Sequence, residues 1–100
     1  MEYPQFDKTI HEQTKLKILT YLSSRNSCSF MEIKKDLDLT SGNLSIQLKT
    51  LEEKGLVFQK KTIENRKTNT NVSITRDGRS ALLEYLGEME SLLSQIKIGM

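Results

Sequence analysis

The stretch from Cys28 to Gly55, CSFMEIKKDLDLTSGNLSIQLKTLEEKG, constrains this chain more than any other. Its start and stop signals divide it into two short helices with room only for a tight turn between them. Ser29, with Glu32 three residues on, has the capping-box spacing, in which hydroxyl and carboxylate each satisfy one unpaired backbone N–H. Phe30, Ile33 and Leu37 give that helix a buried side, and Glu32, Lys34, Lys35 and Asp36 give it a wet one. Leu39 fills the turn. Thr40 caps the next helix, whose Leu44, Leu48 and Leu51 recur at helical spacing and form one stripe. Gly55 supplies the left-handed residue that ends a helix at low steric cost.

Beyond the glycine the hydrophobic period changes. Leu56–Thr62 and Asn69–Ile74 have β-branched and alternating character, with Val72 and Ile74 on one face. Between them IENRKTN, residues 63–69, reads as a basic hairpin tip. Upstream, Ile10, Leu16, Leu19 and Leu22, with Ile18 beside them, predict a first helix over about Thr9–Ser24. Cys28–Phe30 predicts a short strand that pairs with the hairpin. Thr75 caps a last helix with Asp77 in its first turn, where the helix dipole favours an acid. The expected fold is mainly α with a small β-hairpin: a winged helix-turn-helix with a long C-terminal helix. One hundred residues suit a single domain, with residues 1–6, containing Pro4, as a loose lead-in.

Composition narrows the chemistry. Cys28 and His11, the only cysteine and histidine, cannot by themselves build a four-ligand metal site, and no intrachain disulfide is available. No phosphate-binding glycine loop or nucleophile elbow is present. The expectation is a protein that is not an enzyme and needs no metal or cofactor. The N-terminal MEYPQFDKTI lacks the pattern of a signal peptide, and no apolar run approaches a bilayer span, so a cytoplasmic location with no membrane partner is expected. His11 reads as a packing or capping residue rather than a charge switch, and Cys28 as a small buried hydrophobe rather than a redox sensor.

Charge is unevenly spread. Residues 56–79 carry Lys60, Lys61, Arg66, Lys67, Arg76 and Arg79 against Glu64 and Asp77, a net +4 within a chain of net +2. Residues 80–100 carry Glu84, Glu88 and Glu90 against Lys97. A nucleic-acid partner requires positive charge clustered in this way, although a solvated lysine surface has the same composition.

In the last helix Leu82, Leu86, Met89, Leu93 and Ile96 recur at 4, 3, 4, 3, the seam of a coiled coil over two heptads. A helix docked on its own domain gives the same pattern. Leu83, Tyr85 and Leu92 add apolar surface off the seam, more than one small domain covers, so residues 80–98 are expected to dimerise. Ile10 and Tyr3 are expected to help cover the partner.

With Leu44, Leu48 and Leu51 inward, the opposite face of the third helix carries Gly42, Asn43, Ile46, Lys49, Thr50 and Glu53, with Ser41, Ser45 and Gln47 at its edges. Asn and Gln can pair with adenine, Ser donates or accepts, and Lys suits phosphate or guanine. Ile46 is either an ordinary exposed apolar residue or a contact for thymine methyl groups. Arg66 and Lys67 at the hairpin tip suit phosphate or a minor groove. Lys60 and Lys61 alternate across the strand, so one of them faces DNA, and Lys61 is assigned that role.

Over residues 6–95 the chain resembles the compact single-domain winged-helix transcriptional regulators related to the MarR and ArsR groups. The resemblance rests on FDKTIHEQTKLKIL, on LTSGNLSIQLKTLEEKGLV and on VSITRDGRSALLEYL. It implies a homodimer on a palindromic operator, with helix 41–54 in the major groove and wing 63–69 on the backbone or minor groove. Carried over residue by residue, the reading positions are Ser41, Asn43, Ser45, Ile46, Gln47 and Lys49 and the wing positions are Arg66 and Lys67; Thr40 and Lys61 complete the expected DNA contacts. This chain departs from the pattern at Gln47, where relatives often have histidine, and at Ile46, where they have a small polar residue. The cysteine and histidine clusters of ArsR-type metal sensors are absent, so metal sensing is not implied. The competing reading is a winged helix used as a protein-interaction module without specific DNA binding.

Overall fold

The computed structural model describes residues 5–98; the side chain of Ile98 and the expectations placed on Tyr3 and Pro4 lie outside what it describes. The order is α1 (Gln13–Arg25), β1 (Ser27–Ser29), α2 (Phe30–Asp36), α3 (Ser41–Glu53), β2 (Val57–Glu64), β3 (Lys67–Ile74) and α4 (Arg76–Ile98). This is the winged-helix arrangement. The short strand joins the hairpin as expected: the sheet is antiparallel in the order β1-β3-β2, with Cys28 opposite Val72 and Gln59 on its other side.

Capping residues set the boundaries. The Glu32 N–H donates to Ser29 Oγ at 3.1 Å, and the Ser29 N–H donates to Glu32 Oε1, closing the capping box of α2. Asn43 N–H donates to Thr40 Oγ1 at the start of α3. At its end the Gly55 N–H donates to the Glu52 carbonyl and the Leu56 N–H to the Leu51 carbonyl, a Schellman motif with Gly55 at φ 75°. Leu51 and Leu56 supply the apolar contact that accompanies it.

Three expected boundaries shift. The first helix begins at Gln13, not Thr9, because Asp7 Oδ1 accepts the N–H groups of Thr9 and Ile10 and closes a separate turn. Glu12 then caps α1, its carboxylate accepting from Thr14 and Lys15. The short strand is Ser27–Ser29, since Phe30 is drawn into α2 by the capping box. The 63–69 tip shrinks to Asn65 and Arg66: both have positive φ, 49° and 65°, as a two-residue type I′ hairpin turn requires, so Glu64 and Lys67 pair in the ladder. At the end of the lead-in the Phe6 ring stacks on His11 at 5.0 Å.

The core gathers Ile10, Ile18, Leu19 and Leu22 with Ile33 of α2, the Leu44, Leu48 and Leu51 stripe of α3, and Val57, Val72, Leu82 and Tyr85. Tyr21 joins α1 to α2: its hydroxyl donates to Asp36 Oδ2 at 2.6 Å. That bond, then burial, pushes the phenol pKa up to about 12. Folding therefore favours the protonated phenol. The stabilisation is complete below about pH 10 and is lost as pH rises from there toward 12. Tyr21→Phe is expected to cost about 1 kcal/mol at neutral pH. The gap between wild type and variant should close between these pH values in urea unfolding.

The α4 helix starts against the end of α3. Thr75 N–H donates to the Leu56 carbonyl at 3.1 Å, and Thr75 Oγ1 donates to the Gly55 carbonyl at 2.6 Å while accepting the Gly78 N–H. Gly78 lies so close that a Cβ there would overlap the Leu56 carbonyl oxygen and sit 3.1 Å from Ile74 Cγ1. Gly87, further along the same helix, has open space at that position. Gly78→Ala should therefore destabilise the fold by about 2–3 kcal/mol through overpacking. Gly87→Ala should stabilise it by roughly 0.5–1 kcal/mol through helix propensity. Urea unfolding of the two variants should give opposite signs.

Candidate nucleic-acid interface

Amphipathic α3 offers its polar face outward because its leucine stripe is fully buried. Ser41, Gly42, Asn43, Ser45, Ile46 and Lys49 are exposed, and Thr40 is exposed at the cap. Ile46 is 66% exposed, so it is a true break in the pattern rather than a misplaced core residue. Gln47 is half-buried. Its Nε2 donates to Asn43 Oδ1 at 3.2 Å, and its Oε1 is buried without a partner among the described residues. The amide facing outward is therefore that of Asn43, with Gln47 bracing it one turn below.

The hairpin stands beside α3. Side chains alternate along β2, so Val57, Gln59, Lys61 and Ile63 share one face with Val72, Thr70 and Thr68 of β3. That face is the one that packs on the helices, since Val57 and Val72 are buried. Lys61 consequently lines a cleft between hairpin and helix with Phe30, Ser45, Glu52, Gln59 and Thr70. Lys60 and Lys67 lie on the opposite face, and Arg66 occupies the turn itself. The structure thus brings Ser45 and Lys61 together and separates Lys67 from them. Ile63, also on the helix side and 78% exposed, is a surface residue that the alternation in the sequence did not single out.

Arg66 occupies a position where glycine is the usual choice. A side chain in the left-handed region costs roughly 1–2 kcal/mol, a cost tolerated here at the tip of a basic hairpin. Arg79 is committed elsewhere. Its guanidinium donates to the Ser23 carbonyl at 2.9 Å and to Asn26 Oδ1 at 2.6 Å, fastening α4 to the end of α1.

The residues weighed as switches are structural. Cys28 is buried, and burial, with the Glu32 charge adding to it, pushes its thiol pKa up, opposite to what a reactive thiolate requires. His11 Nδ1 lies 2.8 Å from Tyr85 Oη, and Phe6 packs on both rings, so this cluster clamps the N-terminal segment to α4. Among the described residues no group of three or more His, Cys, Asp or Glu side chains is placed to hold a metal ion, and no helix is long and apolar enough to cross a membrane.

The expected seam on α4 divides. Leu82 is 2% exposed in the chain's own core and Met89 packs against that core, while Leu86, Leu93 and Ile96 are exposed. Ile10 is likewise fully buried in its own core and has no surface for a partner. Helical spacing puts these residues on one side of α4, but the body covers only Leu82 and part of Met89 among them.

Fold and surface together define a winged-helix domain with its third helix and hairpin turned outward. Residues 14–93 match the family model described as a winged helix DNA-binding domain. The chain belongs to that family. An uncharacterized protein of Methanocaldococcus jannaschii is 37% identical over 90 residues, covering 90% of this chain and 98% of that one. The solved structure of a transcriptional regulator homologue from Pyrococcus horikoshii OT3 superposes with a TM-score of 0.83 at 32% identity, covering 88% of this chain and 87% of that one. A transcriptional regulator, BldR, from Sulfolobus solfataricus superposes with a TM-score of 0.67 at 25% identity, covering 84% of this chain and 59% of that one.

Proposed function

We propose that this chain is a sequence-specific duplex DNA-binding transcriptional regulator that acts as a homodimer on a palindromic operator. The observation that carries the reading is the pairing of an exposed polar helix face with a basic hairpin that projects beyond the core beside it. In this reading α3 lies in the major groove, with Thr40, Ser41, Asn43, Ser45, Ile46 and Lys49 toward bases and flanking phosphates and Gln47 holding Asn43. Lys61, Arg66 and Lys67 meet the backbone or the minor groove. The protein-interaction reading is favoured by exposed apolar side chains on this surface, Ile46 on α3 and Ile63 on the hairpin. Salt separates the two, because phosphate neutralisation makes duplex affinity fall steeply with ionic strength.

Asn43→Ala should relax base preference, by about 1–3 kcal/mol for each lost base contact. Arg66→Gly should weaken all duplexes alike and reduce the log–log salt slope by about one, or about two in a symmetric dimer. The same variant should raise unfolding stability by roughly 1 kcal/mol, because it relieves the left-handed strain. A salt titration on selected and scrambled duplexes checks this. An unchanged slope for Arg66→Gly, together with equal weakening of both duplexes by Asn43→Ala, would refute the assignment.

Dimerisation through α4 is supported by Leu83, Leu86, Leu93 and Ile96, which stay exposed on a helix of 23 residues. A helix of that length extends about 34 Å. Leu86→Lys with Leu93→Lys should yield a folded monomer, because neither residue is in the core. Sedimentation of the wild type as a monomer at micromolar concentration would count against the dimer. A dimer should prefer half-sites about 10 base pairs apart, one helical turn.

A further inference from the structure

The hairpin is tied to α3 by a polar contact that the DNA-binding reading leaves unused. β2 is an edge strand, so its outward N–H groups have no strand partner. At Gln59 that N–H donates to Glu52 Oε2 at 2.7 Å. Glu52 stands on the last turn of α3, and Gln59 is the last half-buried residue of β2. From Lys60 to Asn69 every residue is exposed, so no core supports the hairpin beyond that point. The hairpin leaves the body at two paired residues, Val72 and Gln59. Burial fixes Val72, and the Glu52 carboxylate holds Gln59. A carboxylate in the cleft shared with Ser45 and Lys61 opposes the approach of phosphate, so its place there calls for a role other than contact with DNA.

We propose that Glu52 is a positioning residue that sets the angle between recognition helix and wing, so that both engage one half-site together. The proposal rests on the DNA-binding reading above. In the free protein the latch removes freedom that binding would otherwise have to remove, and this is how a group that never touches the ligand raises affinity. Its energetic effect passes through the wing, so it is coupled to Arg66 and independent of Asn43.

Charge and hydrogen bond can be separated. Glu52→Gln removes the charge and keeps an acceptor oxygen at the same reach, whereas Glu52→Ala removes both. If Glu52 merely repelled phosphate, both variants would bind duplex more tightly and to the same degree. With the latch, Glu52→Gln binds at least as tightly as wild type, and Glu52→Ala binds roughly five- to tenfold more weakly. Glu52→Ala combined with Arg66→Ala should lose less than the sum of the two single losses, since a wing that has given up one of its contacts gains less from being pinned. The same variant combined with Asn43→Ala should show additive losses.

The measurement is binding to fluorescent duplexes drawn from a random pool, at two salt concentrations, for wild type and each variant. Amide hydrogen exchange at Gln59 in the free protein provides a readout that needs no DNA. The expected pattern is protection in wild type and Glu52→Gln, lost in Glu52→Ala, with affinities in the same order. Wild type that retains no duplex even at low salt overturns the DNA-binding reading and the proposal with it. Wild type that binds while the Gln and Ala variants behave alike, or losses at Glu52 and Arg66 that simply add, overturns the latch alone.

Discussion

The contact between Thr75–Gly78 and Gly55–Leu56 is the constraint on which the rest of this structure depends. Four elements meet there: the end of α3, the start of β2, the end of β3 and the start of α4. One threonine hydroxyl serves two of them, donating to the Gly55 carbonyl and accepting the Gly78 N–H. The backbone N–H of the same residue takes the Leu56 carbonyl, which would otherwise be an orphan at the end of the Schellman turn. A helix can approach another backbone this closely only where it has no side chain, and Gly78 provides that. The end of α3, the root of the hairpin and the start of α4 are therefore fastened to one another. In the proposed dimer, that fastening carries the geometry of the α4 interface directly to the spacing between the two recognition helices.

The outer parts of the molecule obey a different logic, since little apolar burial supports them. The hairpin beyond Gln59 is held by ladder hydrogen bonds, by a tight turn at Asn65 and Arg66, and by Glu52 at its root. Its charges repel one another and face water. A basic, projecting hairpin contributes little to stability, and the left-handed Arg66 subtracts from it. Such features are consistent with a surface shaped for a polyanion rather than for folding. On α3 the economy is similar: the leucine stripe anchors the helix, and the Asn43–Gln47 pair stiffens one polar side chain by using another.

Much of this was legible in the chain before any coordinate. Ser29, Glu32, Thr40, Gly55 and Thr75 mark helix ends by chemistry that operates within three residues, and each holds in the structure. The alternation after Gly55 gave the hairpin, and the leucine spacing gave the outward face of α3. The misread boundaries were also local, but they turned on competition. Asp7 and Glu12 each capture backbone N–H groups near one helix start, and the apolar period does not say which turn they close. At the wing, the two-residue Asn-Arg turn has no clear sequence signal, because Arg is a costly occupant of the second position.

The sequence alone determined the order and identity of the elements and the side of each that turns inward, because caps and periods are properties of a few neighbouring residues. Only the tertiary structure decided where those sides find cover. A heptad fixes the direction of Leu82 and Leu93 but not the point at which the body ends, so one is 2% exposed and the other 49%. In the same way Gly78 reads as a mere helix weakness until Leu56, 22 positions earlier, lies against it, and Glu52 reads as a solvated acid until an unpaired strand edge meets it. Contacts between residues far apart in the chain are set by how whole elements pack, and no short-range rule contains that information.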